Sequence, residues 1–574
     1  MQNNINFREF MRKVEKQLKN YSSDTLREII ITWAKKTPQA KRQEFLAMII
    51  PPSSGKKPPK PDKELLKGIK ALSERVEDGD YCDGWGWDNE LRQERDWGDE
   101  SWAEEVDDFF SQANDAFLNG QYELAKQAYK GLFAILAMGE ESGHLPGNPD
   151  IAEMLTTDIE EALLCYFRAV YMTTSAETRP CRLLESIQGY WYFAGSHFSL
   201  QKLIDAGTIS LPDFHQFLDA LVNFLREKGS HHNLLREAVK LSGGITALAE
   251  LARREGKEHP GAYVDWLEAL DGKNDYHMMA EVAREGLAAV PHDYSIRAEI
   301  AEGLIKAGKL LNDISLQLSG YREAFCSSPN LDYFLNLFSL ASQNNCFTQE
   351  VEAAIAILTS LLQKTGCRNE QYYPIDDEIR MSSVSSPGLL VTIYILTGRY
   401  EQAYQLCQNK AALGWTYGIN PKGLAIPFFL VLLAGEIKLA ATPNLEKLWN
   451  EAVDVACDDG SIDLRKHFQQ VMDDVFNHIQ LPEKDETKYL EWCISEAGLR
   501  VGAIVGEKHR QSYHKAANLL VAVAEVLARR ERKKEGASLL GKYRQKYPRH
   551  RAFREELDAA LAISCIYKGY IVSK

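Results

Sequence analysis

The chain is 574 residues long, 45% hydrophobic and 26% charged, with 38 glycines, 20 prolines and a formal net charge of −14. That composition excludes a wholly disordered, collagenous or membrane-embedded chain, and the length allows about three to five domains or one long repeat array. Charge lies in blocks: residues 1–70 hold 16 Lys/Arg against 7 Asp/Glu, residues 77–108 hold 2 against 14, and residues 500–574 hold 17 against 7.

Basic ends on an acidic body have two readings. They dock on the acidic body of the same molecule, or they contact nucleic acid or an acidic partner; the acidic balance of the whole chain disfavours bulk nucleic-acid binding. Ten cysteines are scattered with no C-x-x-C pair, the pattern of small buried hydrophobes in a reducing cytosol rather than of a disulfide or zinc framework. No apolar stretch with a small-residue cleavage site opens the chain, so export is not expected and a cytoplasmic location is.

In chain order, residues 1–50 read as a small N-terminal helical cap. Thr25 and Glu28 have capping-box spacing ahead of Leu26, Ile29, Ile30 and Trp33, and Thr37-Pro38 opens a further helix toward Phe45, Leu46 and Ile49. Residues 51–62 are a linker: Pro51-Pro52, Pro58-Pro59 and Pro61 suppress helix, and nothing there is apolar enough to bury. Region 63–110 begins with a helix (Leu65, Leu66, Ile69, Leu72, Val76) and continues into an acidic, tryptophan-rich segment. Amphipathic helical segments then recur across 111–380, a repeat region, and 381–574, a second repeat region with a basic end. The longest near-apolar run, Gly423–Gly435, has 13 residues including Pro427. It falls short of the ~20 that cross a bilayer and reads as a buried core helix, so no membrane association is expected.

Internal similarity points to the architecture. Gly120, Tyr122, Ala125 and Tyr129 match Gly398, Tyr400, Ala403 and Cys407 position by position, in the form G-x-Y-x-x-A-x-x-x-(Y/C). Each resembles the start of the second helix of a tetratricopeptide repeat: glycine takes the turn, tyrosine packs back on the first helix, and the small alanine lets the helices approach. Ala113 supplies the small residue of a first helix, and a degenerate copy runs from Asp275-Tyr276 through Ala280 to Pro291. Without a strict 34-residue period, the expected fold is all-α, an irregular TPR-like helical-hairpin solenoid in two or three blocks.

The acidic segment is the strongest candidate for binding. Trp85, Trp87, Asp88, Trp97 and Trp102 stand among dense carboxylates, and indoles flanked by acids bind cations or a Lys/Arg-rich partner. The alternative is that the tryptophans pin an irregular loop to the solenoid while the acids stay in water. Asp78, Asp80 and Asp83 do not follow EF-hand spacing, and His509 and His514 read as surface or packing residues, so no metal is assigned. A second candidate is the basic C-terminal face of Lys508, Arg510, Arg544, Arg549 and Arg551, interleaved with Tyr543 and Tyr547. It either tracks phosphates or is a solvated helical surface. No phosphate loop, dinucleotide fingerprint, nucleophile elbow or paired metal motif is present, so no catalytic residue and no cofactor is assigned and the chain is expected not to be an enzyme.

Three stretches, Tyr321–Tyr333, Arg500–Ala517 and Tyr547–Phe553, resemble the helical regions of bacterial proteins that accompany SWIM zinc-finger modules. The Cys and Cys-x-His pairs of that module are missing here, so neither its metal site nor its function is implied. The expectation is a non-enzymatic scaffold or adaptor for protein–protein interaction in a bacterial cytoplasm. Its alternatives are a regulatory or accessory component of a bacterial defence system of the CRISPR-associated type, whose basic ends engage a nucleoprotein complex or whose accessible loop, at the linker 51–62 or over 414–423, is cut by a partner protease, and a nucleic-acid-associated protein using the basic face.

Overall fold

The computed structural model describes residues 62–88, 93–147, 151–207, 209–365, 387–409, 411–414, 420–435, 442–457, 462–479 and 481–568, together with isolated helical positions 25, 31 and 33. The expected cap over 1–50, apart from those three positions, and the linker up to 61 lie outside the described residues. So does half of the expected loop at 414–423, residues 415–419, while its last two residues already belong to the helix Lys422–Leu433.

Two compact units divide the chain, residues 1–248 and 249–574. The expected boundary between 110 and 111 is corrected, because it cuts helix α2 (Trp102–Leu118) through its middle. The division instead falls in helix α8 (His232–Glu255), a few residues beyond a kink where Gly244 leaves helical geometry (φ 64°, ψ −152°).

In the first unit, helix α1 (Asp62–Asp78) buries the predicted face of Leu65, Ile69, Leu72 and Val76. A two-stranded antiparallel hairpin follows, β1 (Cys82–Asp88) and β2 (Gln93–Gly98), where an irregular segment was expected. Helices α2 and α3 (Tyr122–Ser142) then form the predicted repeat pair. Gly120 takes the left-handed turn at φ 74°, Tyr122 packs edge-on against Phe117 with ring centroids 5.6 Å apart, and Ala113 and Ala125 are fully buried. Helices α4 (Ile159–Thr173), α5 (Arg179–Tyr190), α6 (Leu200–Asp205) and α7 (Phe214–Lys228) extend the packing. Asp107 of α2 clamps the entry to α4: its carboxylate accepts from the backbone N–H and hydroxyl of both Thr156 and Thr157, at 2.6–3.0 Å.

In the second unit, helices α9 (Gly261–Asp271), α10 (Tyr276–Ala289), α11 (Arg297–Leu310), α12 (Ile314–Ser327), α13 (Leu331–Gln343) and α14 (Phe347–Thr365) each pack on the next. Helix starts at 261, 297 and 331, and at 276, 314 and 347, recur near the ~34-residue pitch of tetratricopeptide pairs. The turns are made by asparagine in the left-handed region, Asn274, Asn312 and Asn345, and two are followed by an Asp whose side chain caps the next helix, Asp275 and Asp313. Helices α11 and α12 approach most closely at Gly308 and Gly320. A side-chain carbon on Gly320 would stand 2.6 Å from Ile305, and one on Gly308 would stand 2.9 Å from Leu316. Arg297, nearly fully buried, ties this block together, donating to Val290 O at 2.6 Å and to Glu323 at 2.7 Å.

The remaining helices are α15 (Pro387–Leu396), α16 (Tyr400–Leu406), α17 (Lys422–Leu433), α18 (Pro443–Ala456), α19 (Ile462–His478), α20 (Glu483–Val501), α21 (Tyr513–Arg529), α22 (Lys533–Lys546) and α23 (Arg551–Ile563). The second repeat pair is α15–α16, with Gly398 at φ 73°, Ala403 and Cys407 buried, and Tyr400 stacked on Phe428 at 5.7 Å. The apolar run is α17, buried on nearly every side between α15, α18, α20 and α21, as expected of a core helix. Helix α21 is likewise surrounded, by α18, α20, α22 and α23. Among the described residues the protein is all-α apart from the one hairpin, and each unit stacks helical hairpins in the manner of a tetratricopeptide solenoid. No described helix is long and apolar enough to cross a membrane.

Candidate interaction surface

The hairpin is fastened at its base and open at its tip. Tyr81 donates its hydroxyl to Glu105 of α2 at 3.0 Å, Arg75 of α1 pairs with the same carboxylate, and Asp99 N–H closes on Tyr81 O at 2.9 Å. Burial, then the bond to Glu105, pushes the Tyr81 phenol up to about 12. Gly98 is required at this base, because a side-chain carbon there would fall 1.9 Å from Tyr81 O.

Register decides which side chains share a face. Trp85 pairs with Asp96 and Trp87 with Glu94, whereas Gly84 pairs with Trp97 and Gly86 with Arg95. Directly paired residues of an antiparallel ladder project to the same side. One face therefore presents Trp85 and Trp87 with Glu94 and Asp96. On the other, Trp97 lies across Gly86, its Nε1 3.2 Å from where a side-chain carbon would begin. Trp85, Trp87 and Trp97 are 67%, 56% and 42% exposed. Asp88 occupies the last ladder position, opposite Gln93.

Trp102 does not belong to this surface. It is fully buried as the first residue of α2, and its Nε1 donates to Pro146 O at 2.9 Å. The expected five-residue site is corrected to the hairpin positions alone. Trp102 shares a helical face with Val106, Phe110, Ala113 and Phe117, all buried, and its place in the core follows from that spacing.

The surface extends beyond the hairpin onto residues that sequence reasoning missed. The Asp96 carboxylate lies against Gly143, the left-handed cap that ends α3, 3.0 Å from the place of a side-chain carbon. The last turn of α3 carries exposed Glu140 and Glu141 and no basic residue. In the short 3-10 turn Trp191–Ala194, Tyr192 is 55% exposed and its ring lies tilted against Phe193, centroids 4.2 Å apart. Burial pushes its phenol up, with Glu140, Tyr190 and Glu141 adding to the effect. A helix C-terminus is the negative end of its dipole, where lysine or arginine is the stabilising choice. Two glutamates in that last turn, E-E-S-G at 140–143, were the legible signal.

The basic C-terminal candidate is engaged within its own unit at two of its five positions. Arg544 pairs with Asp558 and Arg551 with Glu555, while neighbouring Arg530 and Arg532 pair with Glu486 and Glu491 of α20. Lys508, Arg510 and Arg549 are exposed. Tyr543 and Tyr547 are buried and unavailable for stacking on bases, which corrects the expected interleaving of positive charge with aromatic faces. His509 sits 3.5 Å from Glu507. Among the described residues, no three His, Cys, Asp or Glu are grouped to hold a metal ion.

The described cysteines are unpaired. Burial pushes the thiols of Cys165 and Cys407 up to about 12 and those of Cys326 and Cys457 up to about 11. These four are core-type thiols rather than poised nucleophiles.

No family model matches the chain, and none of the curated proteins does. Solved structures that align with it include a chain of Naa15/Naa10 bound to HypK-THB, at 12% identity and a TM-score of 0.20, covering 88% of this chain and 68% of that one. They also include a circular tandem repeat protein with novel repeat topology and enhanced subunit contact surfaces, at 12% identity and a TM-score of 0.14, covering 89% and 97%. The fold assignment rests on the chain's own helix packing.

Proposed function

We propose that this chain is a non-enzymatic helical-repeat scaffold that binds a partner protein, and that the exposed face of the hairpin is its contact. The observation that carries the proposal is the exposure of Trp85 and Trp87 on one strand face. Among the described residues four tryptophans are strongly exposed, and three of them belong to this hairpin. Large aromatics left in water cost free energy that a partner recovers, and they dominate the energetics of protein interfaces. The face is fixed to α2 through Glu105, so little ordering is lost on binding. A cytoplasmic setting agrees with the unpaired cysteines among the described residues, and the bacterial setting rests on the resemblance of 321–333, 500–517 and 547–553 alone.

The nucleic-acid alternative is less supported, because Arg544 and Arg551 are paired within the unit and Tyr543 and Tyr547 are buried. The test is affinity purification of the tagged full chain from its host with and without nuclease. A stoichiometric protein partner that survives nuclease supports the scaffold, whereas recovery that collapses with nuclease returns the basic face of Lys508, Arg510 and Arg549 to first place.

A further inference from the structure

Resting on the hairpin as the contact, we infer that the partner supplies a Lys/Arg-rich segment, and that the end of α3 is half of the site that receives it. Three observations converge. Trp85 and Trp87 share a strand face with Glu94 and Asp96, so an arginine or lysine laid on either indole meets a carboxylate across the ladder.

Second, Asp96 abuts the C-terminal cap of α3, where the helix presents the negative end of its dipole and the two exposed glutamates. Like charge against the negative end of a helix dipole is self-repelling, and a bound cation relieves it.

Third, exposed Tyr192, its ring 4.2 Å from that of Phe193, lies within electrostatic reach of Glu140 and Glu141. The hairpin face and the end of α3 thus meet at Asp96 and Gly143 and present aromatic and acidic groups together. Such a surface matches the charge and the apolar stems of arginine and lysine side chains, which bury their methylenes while keeping the cation in contact with carboxylate.

The experiment is fluorescence anisotropy of a labelled nona-arginine peptide with the purified full chain at ~0.05 M and ~0.5 M salt. Saturable binding that weakens steeply with salt is expected. The variant Glu140→Gln/Glu141→Gln should weaken it about tenfold, and Trp85→Ala/Trp87→Ala by a similar factor. The charge-matched control Asp115→Asn/Glu227→Gln, at exposed positions away from the end of α3, should leave it unchanged. No saturable binding at low salt, or equal weakening by the control, overturns the inference. If only the tryptophan variant weakens binding, the role of α3 is overturned while the hairpin contact stands; if neither variant does, both are overturned.

Discussion

Lys422 and Glu496 form a fully buried ion pair, Nζ standing 2.9 and 3.0 Å from the two carboxylate oxygens with the lysine side chain 0% exposed. The same ammonium also holds the carbonyls of Asn409 and Ala411, at 2.9 and 2.8 Å. It thereby ties the end of the α15–α16 hairpin to the start of α17 and the middle of α20. Removing one partner leaves an uncompensated buried charge, so Glu496→Gln should cost ~3–5 kcal/mol. The double variant Lys422→Met/Glu496→Leu should lose less than the sum of its singles by ~1–3 kcal/mol. Denaturant melts of the four proteins check this, and strict additivity of the losses contradicts it.

Glu525 is a second buried carboxylate, with Asn444 Nδ2 donating to its Oε1 at 3.0 Å and to Ala560 O at 3.0 Å. Two buried acceptors there lack donors, Oε2 of Glu525 and Oδ1 of Asn444. Burial pushes the carboxyl up against the opposing pull of Asn444 and Ser564. A carboxyl raised in the fold contributes stability fully below its unfolded value of ~4.3 and loses that contribution as pH rises through the folded value. Glu525→Gln should therefore raise the melting temperature at pH 7.5 and flatten its decline from pH 5 upward. A lower melting temperature than the unsubstituted chain at pH 7.5 contradicts the assignment.

Trp102 and Trp85 lie 17 positions apart and should respond oppositely to truncation. Trp102→Ala removes a fully buried indole and its bond to Pro146 O, at a cost of ~3–5 kcal/mol. Trp85→Ala should stay within ~0.5 kcal/mol, since the side chain is 67% exposed. Thermal melts of the two variants settle the split between core and surface.

At the closest helix approach, Gly320→Ala should destabilise by ~1–3 kcal/mol, because the added carbon meets Ile305 at 2.6 Å and its backbone nitrogen at 3.0 Å. Gly195→Ala is not a fair comparison, since Gly195 takes a left-handed φ of 60°. Gly189→Ala meets open space within its helix and should be neutral or slightly stabilising. Equal effects at 189 and 320 contradict the packing described for α11 and α12.

The helical hairpins were legible where glycine made the turn, at Gly120 and Gly398, because a glycine followed by tyrosine and alanine at fixed offsets leaves a pattern. They were less legible where asparagine took the left-handed conformation, although Asn274-Asp275 and Asn312-Asp313 carry turn and cap in adjacent residues. The hairpin escaped because glycine and aspartate are poor strand formers and its stabilisation comes from anchoring at Tyr81 and Glu105, which sequence does not reveal. Proximity in the chain drew Trp102 into the same site as Trp97, yet the helical spacing from Trp102 to Val106 and Phe110 already separated them. The α3 half of the surface was hidden because Asp96 and Gly143 become neighbours only when the hairpin folds back on the helix end.

The most direct measurement is affinity purification of the full chain from its host beside Trp85→Ala/Trp87→Ala and beside Ile462→Ala, an exposed hydrophobic control in the second unit, all treated with nuclease. A protein partner retained by the unsubstituted chain and the control, and lost from the tryptophan variant, is the predicted result. Equal retention by all three contradicts the hairpin as the contact.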